Sequence, residues 1–268
     1  MPPYEIVIVD NGGDAVFQHA PESVSAEIRL LRPEQNLGVT GGRNLGMARA
    51  QGEYLAVIDD DAVWLDASDV RTMVAFLEAH ADYGAVAVKS LDAEGRIIDL
   101  ELPFSNKRYA RSLTEPTEAP YYIGVAHMLR AAALKQVGMY PERYFYAMEE
   151  LDLSLRLMQA GFKIAYLPSV VVRHYRSRGG REMQVNTYWV RNAVNKSRLA
   201  WRLLPMPYPL TIMFIWSLNT LYRTRDIHAV LGMWRELWGE RQLLARERHP
   251  IDAVTARRFR ANRGRLLY

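Results

Sequence analysis

Short apolar runs, each closed by an acid or a turn, divide the first half of the chain. EIVIVD (5–10) ends in Asp10 and precedes the turn signal Asn11-Gly12-Gly13. EIRLL (27–31), YLAVI (54–58) and Ala85–Val88 read as further strands, YLAVI as a buried one. Between them, Asn36 to Gly52 (NLGVTGGRNLGMARAQG) reads as a Gly-rich loop entering a helix that stops at Gly52. SDVRTMVAFLEAH (68–80) reads as a helix capped by Ser68. This β-α-β alternation predicts an α/β fold with a mostly parallel sheet covered by helices. Ligands of such sheets sit beyond the carboxyl ends of the strands, which is where Asp10 and Asp59–Asp60–Asp61 fall.

Further along, 90–120 is rich in turn residues and predicts a less regular flap, and 130–137 a helix ending at Gly138. Leu151, Leu155 and Met158 recur at i, i+4 and i+7, an amphipathic helix closed by Gly161. Glu149 and Asp152 can share one face of its first turn, where the helix dipole alone would favour acids. Beyond 183 the pattern changes to Trp, Tyr and Arg around Pro205, Pro207 and Pro209. The apolar run 210–221 is too short and too polar to span a bilayer, which takes ~20 apolar residues. It suits either a helix lying in a membrane interface or a helical hairpin packed on the first domain. The expected division is therefore 1–183 and 184–268.

Composition narrows the chemistry. The 268 residues, 49% hydrophobic and 24% charged, suit one α/β domain with an appendage. There is no cysteine, which excludes disulfides, thiolate nucleophiles and zinc–thiolate sites, and leaves oxygen ligands and His for any metal. The opening residues show no signal-peptide pattern, so a cytoplasmic location is expected, peripheral at the inner face of the plasma membrane if the C-terminal helices touch lipid. The net charge of +4 is concentrated late, ending in RRFRANRGRLLY. Such a tail can bind anionic lipid, an acidic partner or nucleic acid, the last being disfavoured because it rests on the tail alone.

Three adjacent carboxylates after an apolar strand are costly unless a cation compensates them. Two chemistries fit. Asp59 and Asp61 can chelate Mg²⁺ or Mn²⁺ whose shell is completed by phosphate oxygens. Alternatively, LAVIDDDAV matches the opening of haloacid-dehalogenase-type phosphatases, with Asp59 as nucleophile and Asp61 as acid/base. In that reading the acids should end the first strand, whereas here two strands precede them.

The wider set of motifs resembles something else. YEIVIVDNGG, NLGVTGGRNLGMARAQGEYLAVIDDDA and HMLRAAALKQVGMYPERYFYAMEELDLSLRLMQAGFKIAYLPSVVVRHY occur in the order found in family 2 glycosyltransferases of the GT-A fold. The sequence is most similar to their rhamnosyltransferase-like bacterial branch, over roughly 4–180, and the Arg/aromatic tail also looks like that branch's extension. The resemblance implies an inverting, metal-dependent transferase. Its donor would be a nucleoside-diphosphate sugar (dTDP-rhamnose or a UDP-hexose), its acceptor a polysaccharide or lipid-linked glycan. Asp10, Asn36, Gly42, Arg43, Asn44, Asp59 and Asp60 would bind the nucleotide sugar, Arg43 by pairing with phosphate. Asp61, Asp59 and His174 would hold Mn²⁺ or Mg²⁺. One of Glu149, Glu150 and Asp152 would be the base, with Glu150 at the usual position. The family usually has one more strand and helix before YEIVIVDNG. Its absence here predicts that the natural protein is longer, that another segment or a homo- or hetero-oligomeric partner fills the slot, or that nucleotide binding is impaired and the chain is a non-catalytic, transferase-like scaffold.

Overall fold

The computed structural model describes residues 4–12, 26–175 and 185–267. Strands β1 (Glu5–Val9) and β2 (Glu27–Leu31) pair in parallel, with Ile6 opposite Ile28 and Val9 opposite Leu31. Helix α1 (Gly38–Arg49) packs along β1. The glycines expected to form a loop thus lie inside the helix. Gly38 opens it with φ +69°, a conformation that a side chain would strain.

The larger sheet contains β3 (Tyr54–Ile58), β4 (Ala62–Trp64), β5 (Tyr83–Leu91), β6 (Thr117–Glu118), β7 (Ala126–Arg130) and β8 (Lys163–His174). Its order is β3-β7-β5-β8-β4, with β6 on β8. β5 and β8 are parallel, and β7 is antiparallel to both β3 and β5. The common direction of β3, β5 and β8 is the α/β character that the alternation predicts, and β7 is a reversed strand inserted among them. Two local expectations are corrected. β3 is an edge strand among the described residues, with Ala56 and Ile58 exposed. Ser68 precedes α2 (Asp69–Ala79), but its hydroxyl donates to Asp66 Oδ1 at 2.6 Å and accepts nothing from the helix.

Helices α3 (Lys107–Arg111), α4 (Ala131–Val137) and α5 (Glu149–Gln159) cover the sheet together with α2. In α5, Leu153, Leu155 and Leu157 are fully buried, each worth ~1.5–3 kcal/mol relative to exposure. The C-terminal segment forms α6 (Val185–Leu203), α7 (Tyr208–Thr224), α8 (Ile227–Gly239), α9 (Arg241–Arg246) and α10 (Ala253–Ala261). Val194 and Leu199 of α6 and Met233 of α8 share one buried cluster with Tyr144, Leu153 and Tyr166. No helix of the described residues is long and apolar enough to cross a membrane.

Candidate functional site

Two acid-bearing segments meet through Arg43. Asp59 follows the last residue of β3, and its backbone N–H donates to Val125 O at 2.9 Å, which continues the β3–β7 ladder by one step. Glu149 and Glu150 begin α5. From α1, Arg43 Nη2 donates to Asp59 Oδ1 at 2.8 Å and to the carbonyl of Gly124 at 2.9 Å. Its Nη1 lies 3.3 Å from Glu149 Oε1 and 3.6 Å from Glu150 Oε1. Burial penalises the guanidinium charge, but Asp59 and the two glutamates outweigh that and hold it protonated. Arg43 therefore pairs with carboxylates, not with an open phosphate position.

Burial pushes the Glu149 carboxyl up to about 8, and the neighbouring Glu150 pushes it further than the Arg43 charge pulls it back. Consistent with that, Glu149 Oε2 is buried with no hydrogen-bond partner. Glu150 is also raised, by burial first and against the opposing pull of Arg43. Its side chain keeps 22% exposure against 3% for Glu149, so Glu150 is the one that meets solvent. Burial raises Asp59 as well, with Arg43 opposing. Gly124 is the tight point: a Cβ there would collide with Glu150 Oε1 and lie 2.9 Å from both terminal nitrogens of Arg43.

A second cluster lies at the far end of β8. Ala62 pairs with His174 in the β4–β8 ladder, and Tyr175 N donates to Asp61 O at 2.7 Å. This register aims Asp61 Oδ1 at His174 Nε2, 3.1 Å away. His174 Nδ1 faces Glu101 Oε1 at 2.9 Å, from a 3₁₀ turn at Asp99–Glu101 in the irregular region. Asp60 between the two clusters is exposed.

The remaining predicted residues are divided. Asn11 Nδ2 donates to Gly38 O at 2.8 Å and reaches Asn36 Oδ1 at 3.3 Å, and a Cβ on Gly42 would approach that same nitrogen to 3.2 Å. Asp10, Asn36 and Gly42 thus gather where β1 ends, with Asp10 paired to Arg32 at 3.2 Å. Asn44 is used by the fold: its amide makes both hydrogen bonds to the backbone of Tyr140, at 2.9 and 3.0 Å. Asp152 is not brought to the site. It is fully buried, accepting from Tyr144 Oη at 2.9 Å, from Arg156 Nε at 2.7 Å and from Arg202.

Sequence reasoning missed Glu101, Gly124, Asn11 and Asn195. Asn195 of α6 is fully buried, and its Nδ2 lies 2.8, 2.7 and 3.2 Å from the carbonyls of Tyr144, Tyr146 and Ala147, just ahead of Glu149. A signal existed for this one: an Asn beside Ala193 and Val194 and four residues before Leu199 sits on the apolar stripe of its helix.

Among the described residues no group of three His, Asp or Glu side chains is arranged around a metal position. Asp61 and His174 nevertheless fit one as a pair. Adjacent oxygen or nitrogen ligands of an octahedral ion at ~2.1 Å stand about 3 Å apart, close to their separation. Glu101, on the other ring nitrogen, keeps Nε2 available as a ligand in the manner of outer-shell carboxylates. Asp59, engaged by Arg43, is not arranged with them.

A strand-end aspartate pair beside a helix-start glutamate pair, on an α/β sheet whose β3, β5 and β8 run together while β4, β6 and β7 run against them, defines the class of GT-A transferases. Solved structures share this fold. GalNAc-T7 with UDP, GalNAc and Mn²⁺ aligns at TM-score 0.55 and 16% identity over 76% of this chain and 42% of its own. The mannosyltransferase PcManGT from Pyrobaculum calidifontis, in complex with GDP-Man and Mn²⁺, aligns at TM-score 0.52 and 15% identity, covering 97% and 73%. The profile of Glycosyl transferase family 2 matches residues 1–138, and the chain belongs to that family. Within it, the chain is similar to a rhamnosyltransferase. It is 28% identical over 211 residues to the N-acetylglucosaminyl-diphospho-decaprenol L-rhamnosyltransferase of Mycobacterium tuberculosis, covering 65% of this chain and 67% of that protein.

Proposed function

We propose that this glycosyltransferase moves a sugar, with inversion, from a nucleoside-diphosphate donor (dTDP-rhamnose or a UDP-hexose) to a hydroxyl of a polysaccharide or lipid-linked acceptor. One observation carries the reading: Arg43 joins Asp59 and Glu150 at 2.8 and 3.6 Å, so strand-end and helix-start acids occupy one place. The Mycobacterium relative's name supports a lipid-linked acceptor and a rhamnosyl donor, and the ligands of the two structural neighbours support a nucleotide sugar with Mn²⁺.

In this reading Glu150 is the base. It takes the proton of the acceptor hydroxyl as that oxygen bonds to the anomeric carbon, and the diphosphate leaves from the opposite face with the bonding electrons. Its raised affinity for protons brings it towards the working pH, where a base is most effective. Glu149, buried behind it, is pushed towards its protonated form by burial first and then by the neighbouring Glu150. Arg43 fixes both glutamates and Asp59 in place. Asp61 and His174 would hold Mn²⁺ or Mg²⁺, which when bound neutralises the departing diphosphate. Asp10, Asn36, Gly42 and Asp60 border the nucleotide, while Asn44 and Asp152 hold the surrounding backbone and helices. Residues 1–183 carry this chemistry, and 184–268 form an extension that faces a membrane from the cytoplasmic side.

Calorimetric titration of UDP and dTDP, with and without Mn²⁺, tests the donor site. Manganese-dependent binding that Asp61→Ala abolishes and Glu150→Gln leaves intact is the expected result. Equal binding by wild type and Asp61→Ala would refute the metal assignment, and sugar transfer surviving in Glu150→Gln would refute the base.

A further inference from the structure

Helices α7 and α8 form a hairpin joined by Arg225 and Asp226, with Trp234 Nε1 donating to Ser217 Oγ at 3.0 Å across it. Each helix is apolar on two sides. The inner side is used by the fold: Ile212 and Trp216 of α7 and Val230, Met233 and Leu237 of α8 are buried. The outer side is equally apolar and open. Phe214, Leu218 and Tyr222, at i, i+4 and i+8, are 64%, 52% and 76% exposed. Ile227, Leu231 and Trp238, at i, i+4 and i+11, are 52%, 56% and 69% exposed. A helix that only covers a core carries polar residues on its outer face, and a continuous apolar face of this kind marks a contact surface.

Charge selects what covers it. Arg223, Arg225, Arg235 and Arg241 edge the hairpin. Arg241 lies 5.0 Å over the Trp238 ring and Arg223 4.5 Å over that of Trp189. Two of the three acids of the same stretch are turned to a buried partner, and the third caps a helix. Glu236 and Glu240 pair with buried Arg198 at 2.6 and 2.5 Å, and Asp226 accepts from His228 N at 2.8 Å as the cap of α8. The outer face is therefore apolar and aromatic with a cationic rim, and a second copy would bring the same positive charge against it. We infer that the outer face of the α7–α8 hairpin docks on an anionic lipid bilayer, lying in the interface with its aromatic rings at headgroup depth.

The test is vesicle flotation of the full chain, which needs no nucleotide and so fails or succeeds independently of the transferase reading. Vesicles of phosphatidylcholine mixed with phosphatidylglycerol should bind the protein about ten-fold or more tightly than phosphatidylcholine alone. Phe214→Ser with Trp238→Ser should weaken that binding by about ten-fold or more, because both side chains are exposed and their loss leaves the core intact. Arg225→Gln with Arg235→Gln should flatten the lipid-charge and salt dependence while the apolar face remains. Circular dichroism checks that both double variants fold. Wild-type protein that ignores anionic vesicles, or a Phe214/Trp238 double variant that binds them as well as wild type, overturns the inference. So does a dimer in sedimentation that the same double variant dissolves, since it assigns the face to a second copy.

Discussion

Asn195→Ala tests whether the C-terminal extension positions the proposed base. The segment before α5 holds three non-glycine residues at positive φ: Phe145 at 58°, Ala147 at 73° and Met148 at 75°. Each costs ~1–2 kcal/mol, about 3–6 kcal/mol together. Two contacts offset this. Phe145 O accepts from Val39 N at 2.7 Å at the start of α1, and Asn195 Nδ2 reaches three carbonyls of the segment. Asn195 Oδ1 in turn accepts from Arg198 Nη1 at 2.9 Å. Alanine removes two N–H donors and takes this partner from the part-buried carbonyls of Tyr146 and Ala147, at ~1–3 kcal/mol each, or about 2–6 kcal/mol together if the segment stays in place. The segment need not stay. Releasing its strain caps the loss near the lower end and moves Glu149 and Glu150.

Two measurements separate these outcomes. At ~2–4 °C per kcal/mol for a chain of this size, scanning calorimetry should show Tm lower by about 4–8 °C. Hydrogen exchange should rise in a peptide covering 144–150 and stay constant in one covering β5. Because Asp59 and Asp61 are held by the sheet, nucleotide affinity should persist while transfer falls. Asn195→Asp, which places a carboxylate against the three carbonyls, should be worse than alanine. An alanine variant with unchanged Tm and unchanged exchange at 144–150 would refute the reasoning. Exchange raised uniformly across the chain would also refute it, since Asn195 would then serve global stability only.

Gly124→Ala should displace Glu150 or Arg43 at a cost of ~1–3 kcal/mol, a small drop in Tm with a large fall in transfer. Full transfer by the folded variant would show that Glu150 has room to spare. Glu149, raised to about 8 from an ordinary 4.5, retains a proton in the folded state that the unfolded chain releases, so it makes stability fall as pH rises from about 4.5 to about 8 and level off beyond. Glu149→Gln should remove that part of the slope in a series of Tm measurements across this range, and an unaltered slope would place the ionisation elsewhere. Arg43→Met should leave Asp59, Glu149 and Glu150 without their shared cation and lower stability by ~3–5 kcal/mol, read by urea unfolding.

How much of this was legible in the sequence depends on how local each interaction is. Strands ending at Asp10 and Asp59, and the helix from Glu149, follow from apolar periodicity and appear within a few residues of their expected limits. Asp61, His174 and the two glutamates came from the order of motifs. Reversal of β7 left no trace, because AHMLR is too short to show alternation, and its direction is set by pairing with β3 and β5. Arg43 was recognised as a site residue but given a phosphate, since nothing in GGRNLG reveals that three carboxylates converge on it. Glu101 lay in a stretch without periodicity, and only the fold brings it to His174. Asp152 was the opposite case: at i+3 from Glu149 it shares the helix start, yet Arg202, fifty residues on, claims it.

Those long-range claims explain why the site and the tail belong to one molecule. Glu236 and Glu240, at the end of α8, hold Arg198, Arg198 holds Asn195, and Asn195 holds the strained backbone that starts α5. Every link is a charged or amide group that is buried or partly buried, so removing one strands its neighbour and does not merely free it. Movement of α8 on a bilayer therefore has a short physical route to the carboxylate proposed to deprotonate the acceptor. If that route operates, vesicles that bind the α7–α8 face should slow exchange at 144–150 in wild type but not in Asn195→Ala. Membrane contact would then order the base as well as deliver the acceptor.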